Sequence, residues 1–161
     1  MANQIVFTVP GAPKGKGRAK STARIVTKGG KPLAITRHYT PQETAAYMSL
    51  VRLAAAQAMA GRPPYTGPIQ MHIQIVCPVP ASWSLTRRRR ALAGEIMPTV
   101  KPDSDNVEKA VKDGMNGVVY RDDVQVVDDS KSKRYGEVAG VTVTLTEMEG
   151  VERAQGKGGR Q

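Results

Sequence analysis

Between Ile69 and Ile75 the side chains alternate without a break: Ile69, Met71, Ile73 and Ile75 are apolar, and Gln70, His72 and Gln74 between them are polar. A period of two belongs to a β-strand, and a strand apolar on one side alone must bury that side and leave the other in water. The same alternation returns at Val141, Val143 and Leu145 against Thr142, Thr144 and Thr146, and a β-branched run from Ile5 to Val9 stops at Pro10-Gly11. The chain also carries a cover for such a sheet. Tyr47, Met48, Val51, Ala54, Ala55, Ala58 and Met59 recur at three- and four-residue spacing up to Gly61. Ahead of them, Thr40-Pro-Gln-Glu43 has the cap residue, first-turn proline and later glutamate of a capping box. The spacing predicts a helix over Pro41 to Met59 that packs its stripe on the sheet. With 161 residues there is material for one core, read here as residues 1–148, and the polar, glycine-rich 149–161 read as a flexible tail.

The remaining punctuation is local. Lys28-Gly-Gly-Lys31 between Ala23–Thr27 and Leu33–Arg37 reads as a basic hairpin, with Pro32 limiting its second strand. Ser84 can cap a short helix containing Arg87 to Arg90, whose four consecutive arginines point around its whole circumference. Asp103 or Ser104 can cap a helix over Asn106 to Met115, ended by Asn116-Gly117. Val118 to Tyr120 then reads as a strand start, and Val124 to Val127 as extended chain.

Charge divides the chain sharply. The formal net charge is +10, yet residues 1–102 hold 15 Lys and Arg against two acids, and residues 103–161 hold nine against twelve. A surface this basic suits a polyanion, and nucleic acid is the first candidate. In Ala12-Pro-Lys-Gly-Lys-Gly-Arg-Ala-Lys20, glycines let the backbone approach closely while Lys14, Lys16, Arg18 and Lys20 reach phosphates. No Gly-Lys-Ser/Thr follows at the spacing of a nucleotide-binding loop. The single cysteine, Cys77, forms no internal disulfide and fits a reducing compartment. No eighteen-residue apolar stretch and no leader pattern in Met1 to Pro10 are present, so the expectation is a soluble, cytoplasmic protein without a membrane partner.

Eight of the fourteen acids lie between Asp103 and Asp129, and seven of them are aspartates. Beside a phosphate-binding surface such a cluster repels the ligand unless cations intervene, and divalent metal resolves the conflict. A helix over Asn106 to Met115 rises about 15 Å, and five extended residues from Val118 to Asp122 return about 16 Å. That return would set Asp122 and Asp123 beside Asp103 and Asp105, a hard oxygen donor set of the kind Mg²⁺ prefers. Lys109 follows Asp105 by one turn, and Asp113 follows Lys109 by another. Capping and turn chemistry explain one or two of these aspartates, but not a second pair at the same end. An EF-hand counted from Asp103 would need glycine sixth and glutamate twelfth, where Glu108 and Gly114 stand. His72 has no second histidine nearby and falls on the polar side of its strand.

Lys101-Pro-Asp-Ser-Asp-Asn-Val-Glu-Lys109, Asp113-Gly-Met-Asn-Gly117 and Asp122-Asp-Val-Gln-Val126 together resemble the signature of the RusA family of Holliday junction resolvases, common in phages and prophages. Val9-Pro-Gly-Ala-Pro-Lys-Gly-Lys-Gly-Arg18 and Tyr39-Thr-Pro41 resemble phage members more loosely. The resemblance implies a single-domain α+β fold, with a mixed, mainly antiparallel sheet and two to three helices packed on it. It also implies a homodimeric endonuclease dependent on Mg²⁺, with Mn²⁺ as a substitute, making paired nicks across branched DNA, especially four-way junctions. Carried over by position, the catalytic residues would be Asp103, Asp105, Lys109 and Asp123, and the metal ligands Asp103, Asp105, Asp122 and Asp123. Lys14, Lys16, Arg18, Lys20 and Lys101 would contact DNA. Two other readings stay open: a non-catalytic DNA- or RNA-binding module, and a broader nuclease of branched or flap DNA. Ala19 stands where many members have proline, and Ala81 to Val100 is longer than in the shortest members, which leaves Arg87 to Arg90 without an assigned role.

Overall fold

β4 (Ile69–Pro78) is the central strand, antiparallel to β6 (Gly140–Glu147) on one side and parallel to β5 (Val126–Gly136) on the other. β1 (Asn3–Pro10) pairs antiparallel with β6, giving the order β1-β6-β4-β5 in a computed structural model that describes residues 3–17, 20–39 and 41–154. A parallel pair needs a long crossover. The chain between β4 and β5 supplies it with α2 (Leu85–Leu92) and α3 (Ser104–Met115). β2 (Lys20–Lys28) and β3 (Lys31–Tyr39) form a separate two-stranded ribbon, and α1 (Gln42–Met59) follows them. The architecture is the expected α+β one, with three helices and a mixed, mostly antiparallel sheet.

The alternating segments align their apolar positions in rows. Ile5, Leu145 and Met71 form one row, Phe7, Val143 and Ile73 the next, and Val9, Val141 and Ile75 the third, all buried. The other face of the sheet is a polar lattice in which Gln4 bonds Thr146, Thr8 bonds Thr142, Gln70 bonds Asp128 at 2.8 Å and His72 bonds Ser130 at 2.7 Å. His72 is thus part of a polar cross-strand pair, away from the acidic residues of α3.

α1 buries Tyr47, Val51, Ala55 and Met59 at every fourth residue, against β1 and α3. The expected Thr40 capping box lies partly outside the described residues; Pro41 occupies the cap position with no side-chain cap bond. Ser84 caps α2 by accepting from the Arg87 backbone N–H, as its sequence predicts. Where α1 and α3 cross, Gly114 is required by space: a Cβ there would lie 2.8 Å from Val51 and 3.0 Å from the Met48 carbonyl. The ribbon turns at Gly29 and Gly30, both with positive φ, and β3 runs through Pro32 opposite Thr27. Among the described residues no helix is long and apolar enough to cross a membrane.

Two local expectations fail. Val118 to Tyr120 form a turn rather than a strand, with the Val118 and Val119 N–H groups donating to the Met115 carbonyl and Gly117 N–H to that of Tyr120. Asp123–Gln125 is a short 3₁₀ turn before β5. β5 itself escapes the period-two test because its inward positions Asp129, Lys131 and Lys133 are charged, so no apolar alternation marks it. Residues 151–154 are exposed without regular structure, and the rest of the expected tail, residues 155–161, lies outside the described residues.

Candidate active site

The inner face of the sheet changes character at its edge. Register places Asp129, Lys131 and Lys133 of β5 beside Met71, Ile73 and Ile75 of β4, and α3 supplies their counter-charges. Lys112 Nζ lies 2.8 Å from Asp129 and 2.6 Å from Glu108, and Lys131 Nζ lies 2.5 Å from Glu108 and 2.8 Å from Asp105. Lys133 donates to the Val100 carbonyl just before the helix. It is therefore β5 that runs back along α3, from Asp129 opposite Lys112 to Lys131 opposite Asp105. The hydrogen bond and charge of Lys131 hold Asp105 below the ordinary carboxylate range. Burial works against the charge of Lys112, but its bonds to Asp129 and Glu108 prevail and hold it protonated above the usual lysine range.

At the start of α3, Asp103 is the cap: its Oδ1 accepts from the backbone N–H of Asp105 at 2.8 Å and of Asn106 at 3.3 Å. Asp103, Asp105 and Lys109 are all exposed there, while Val107, Ala110 and Val111 fill the buried side. The glycine-rich basic loop docks on the same helix. Lys16 N–H donates to the Asn106 carbonyl at 2.9 Å, Lys16 Nζ meets Asp113 at 2.5 Å, and a Cβ on Gly15 would fall 2.9 Å from that of Asn106. Gly17 N–H donates to Thr44 Oγ1 at the start of α1. Lys14 is exposed and lines a cavity of about 690 Å³ with Gly15, Gly17, Pro41, Gln42, Glu43 and Thr44. Lys101, also exposed, precedes Pro102 through a cis peptide bond. Arg18 and the side chain of Lys20 lie outside the described residues.

Asp122 and Asp123 are positioned by Gln125. Its buried amide Nε2 donates to the Tyr65 and Gly67 carbonyls at 2.9 and 3.2 Å, and its Oε1 accepts from Arg121 N–H at 2.9 Å and, more weakly, from Asp122 N–H. Asp122 in turn accepts from Val124 N–H, closing a capping box. Tyr120, wholly buried, donates its hydroxyl to the Lys112 carbonyl at 2.8 Å, so this turn is fastened to the last turns of α3. A hydrogen bond shared with Asp122, then burial and the charges of Asp122 and Asp113, raise the pKa of Asp123.

The expected convergence of Asp122 and Asp123 on Asp103 and Asp105 is therefore not what the fold builds. The second pair stands with Asp113, and Asp113 lies about 12 Å along the helix from Asp105 at 1.5 Å per residue. Among the described residues no group of three or more His, Cys, Asp and Glu is arranged as a metal-binding set. The cause is the Asn116–Tyr120 turn, which replaces the extended return. Glu108, Lys112, Gln125, Asp129 and Lys131 were missed in the sequence; the one signal for them is the charged period-two run Asp129, Lys131, Lys133 after Val126-Val127. The arginine run is partly structural: Arg87 stacks 3.9 Å over the Trp83 ring, which meets Tyr135 edge-on, and Arg90 pairs with Glu95. Cys77 is buried in the core, where burial pushes its thiol pKa up.

The model of the family described as Endodeoxyribonuclease RusA matches residues 10–146, which include α3, the Asp122–Asp123 turn, β4, β5 and β6 up to Thr146, and only Pro10 of β1. Among curated proteins, the chain is 36% identical over 148 residues to "Uncharacterized protein YqaN" of Bacillus subtilis (strain 168), an alignment covering 89% of this chain and 96% of that protein. On the family match and its reach through the acidic helix, the chain belongs to the RusA family of endodeoxyribonucleases.

Proposed function

We propose that the chain is a divalent-metal-dependent endodeoxyribonuclease that resolves four-way DNA junctions by paired symmetric nicks, working as a homodimer in the cytoplasm. The observation that carries the metal part is the Asp122–Asp123 pair. Asp122 caps the 3₁₀ turn and Asp123 opens it, so two adjacent carboxylates stand at one turn as hard oxygen donors for a divalent cation, and the raised pKa of Asp123 reflects their crowding. Asp122 and Asp123 would hold one Mg²⁺ or Mn²⁺, and Asp103 and Asp105, set apart from them along α3, would serve a second ion rather than complete the same coordination sphere. The cation, when bound, would supply charge for the phosphate and lower the pKa of a water.

The chain's own residues do the rest. Asp103 accepts both helix N-terminal bonds on Oδ1, so the direction of its exposed carboxylate is set by the cap. Lys109 sets an exposed ammonium one turn after Asp105, where it can stabilise charge on a phosphodiester. Lys14 and Lys101 add exposed cations, and Arg18 and Lys20 continue the same basic loop in sequence, so binding weakens steeply with salt. Lys16 is bound to Asp113 and contributes by seating the loop. Symmetric nicking of a junction calls for two sites related by a two-fold axis, which a homodimer provides.

The test is an end-labelled synthetic junction and a linear duplex of the same sequence, each with Mg²⁺ or EDTA, alongside Asp105→Asn. Metal-dependent symmetric nicks in the junction alone, lost in the variant with binding retained, are the expected result. With Mn²⁺ and a flap substrate as further arms, binding without cleavage in either metal would overturn catalysis in favour of a binding module, and equal cutting of the flap would make the substrate branched DNA in general.

A further inference from the structure

The β2–β3 ribbon belongs to neither the main sheet nor the candidate active site. Among the described residues its strands pair only with each other, and each described side chain from Ser21 to Arg37 is exposed except for half-buried Val26. Isolated two-stranded ribbons are marginal in water, so a long one left uncovered points to a surface completed by a ligand. Nine residues per strand give it a reach of about 30 Å.

Its two faces differ in kind. Opposed residues in an antiparallel pair share a face. Register therefore puts Thr22 with Arg37, Arg24 with Ile35, Val26 with Leu33, and Lys28 with Lys31 on one side. The other side carries Ala23 with Thr36, Ile25 with Ala34, and Thr27 with Pro32. Arg24, Lys28, Lys31 and Arg37 thus fall on one face, and the opposite face has no charge among these pairs. The charged face is concave: Thr22, Arg24, Val26, Ile35 and Arg37 line a hollow of about 300 Å³.

We propose that this face is a clamp for the phosphate backbone of one DNA arm, separate from the carboxylates of α3. Arg24 and Arg37 line this hollow together with Val26 and Ile35, a mix of guanidinium and apolar surface that suits phosphates and the sugar edges between them. Lys28 and Lys31 extend the grip to the tip. No acid occurs from Pro10 to His38, so the same face of a second copy would be repelled while a polyanion is drawn in. The clamp reads no bases. It rests on the junction-nuclease reading only in taking DNA as the ligand.

The experiment uses the full chain in EDTA, a fluorescent four-way junction and anisotropy over a KCl series. The proteins are wild type, R24S/R37S, the tip variant K28S/K31S, and the opposite-face control I25S/T36S. Each cationic-face variant should weaken binding about 10- to 100-fold and reduce the slope of log affinity against log salt by roughly 2, with the control within about twofold of wild type. Circular dichroism should match across the set, because the ribbon lies outside the core. Unchanged affinity and slope in both cationic-face variants would overturn the clamp. So would a monomer–dimer shift by sedimentation equilibrium with an unchanged slope, which would assign the face to a second copy. The two readings fail separately. A wild-type protein that never cuts but loses binding in R24S/R37S keeps the clamp and loses the nuclease; one that cuts junctions while R24S/R37S binds normally does the reverse.

Discussion

Lys131, on the edge strand of the sheet, grips Asp105 in the first turn of α3 at 2.8 Å and Glu108 one turn later at 2.5 Å. The Asp105 side chain is still 70% exposed, so the pair restrains its direction without removing it from solvent. A carboxylate proposed to serve the metal is thus also the end of an ion-pair ladder running through Glu108 and Lys112 to Asp129.

Lys131→Met should release Asp105. Asp105 has a depressed pKa in the fold, so its contribution is present above the unfolded carboxylate value and is lost as pH falls through the folded one. Asp129, depressed mainly by its bond from Lys112, behaves in the same way. The variant should melt a few degrees below wild type at pH 7, with the gap closing below about pH 4. Calorimetry across that range tests this, and NMR titration should show the Asp105 pKa rising.

Asp122→Asn acts in the opposite sense. The raised pKa of Asp123 marks repulsion that penalises the fold above that pKa and fades as pH falls through it. Asparagine keeps the cap to Val124 N–H and removes a charge, so in EDTA the variant should be slightly more stable than wild type at pH 7, and the difference should shrink towards pH 4. Urea denaturation at both values measures it. Nuclease activity should fall although stability rises.

Gly114→Ala sets two effects against each other. Alanine favours the helix by about 1 kcal/mol, but its Cβ would press on Val51 and on the Met48 carbonyl, which as backbone cannot turn aside. Overpacking costs about 1–3 kcal/mol, so it should prevail and the net change should be destabilising. Equilibrium unfolding gives the sign directly.

Gln125→Leu removes the support under the second aspartate pair. It leaves the Tyr65 and Gly67 carbonyls and the Arg121 N–H without this partner and should cost about 2–3 kcal/mol. As a positioning residue, it should lower kcat more than it raises KM for junction DNA, while binding in EDTA stays within about twofold. A loss of binding equal to the loss of cleavage would instead mean that the turn has only a structural role.

How much was legible follows from which forces are local. Ile69 to Ile75 and Val141 to Thr146 announced strands because burial of one sheet face imposes a period of two on the residues themselves. The Asp103 cap and the Gly29-Gly30 turn were equally readable, since each depends on a few neighbouring residues. β5 was not, because its inward side chains are charged and their ion-pair partners sit on α3, in a different part of the chain. A return of Asp122 to the start of α3 requires an extended Val118–Tyr120. Instead, the burial of Val119 and Tyr120 favoured a turn and set the pair beside Asp113. Local pattern alone sets which faces are buried, where α2 and α3 are capped and that carboxylates crowd the second half of a chain whose first half is basic. Only the tertiary structure decided that Lys131 takes Asp105, that Lys16 takes Asp113 and that the ribbon's cations share one face, because ion pairs and faces depend on sheet order and register, which no local pattern encodes.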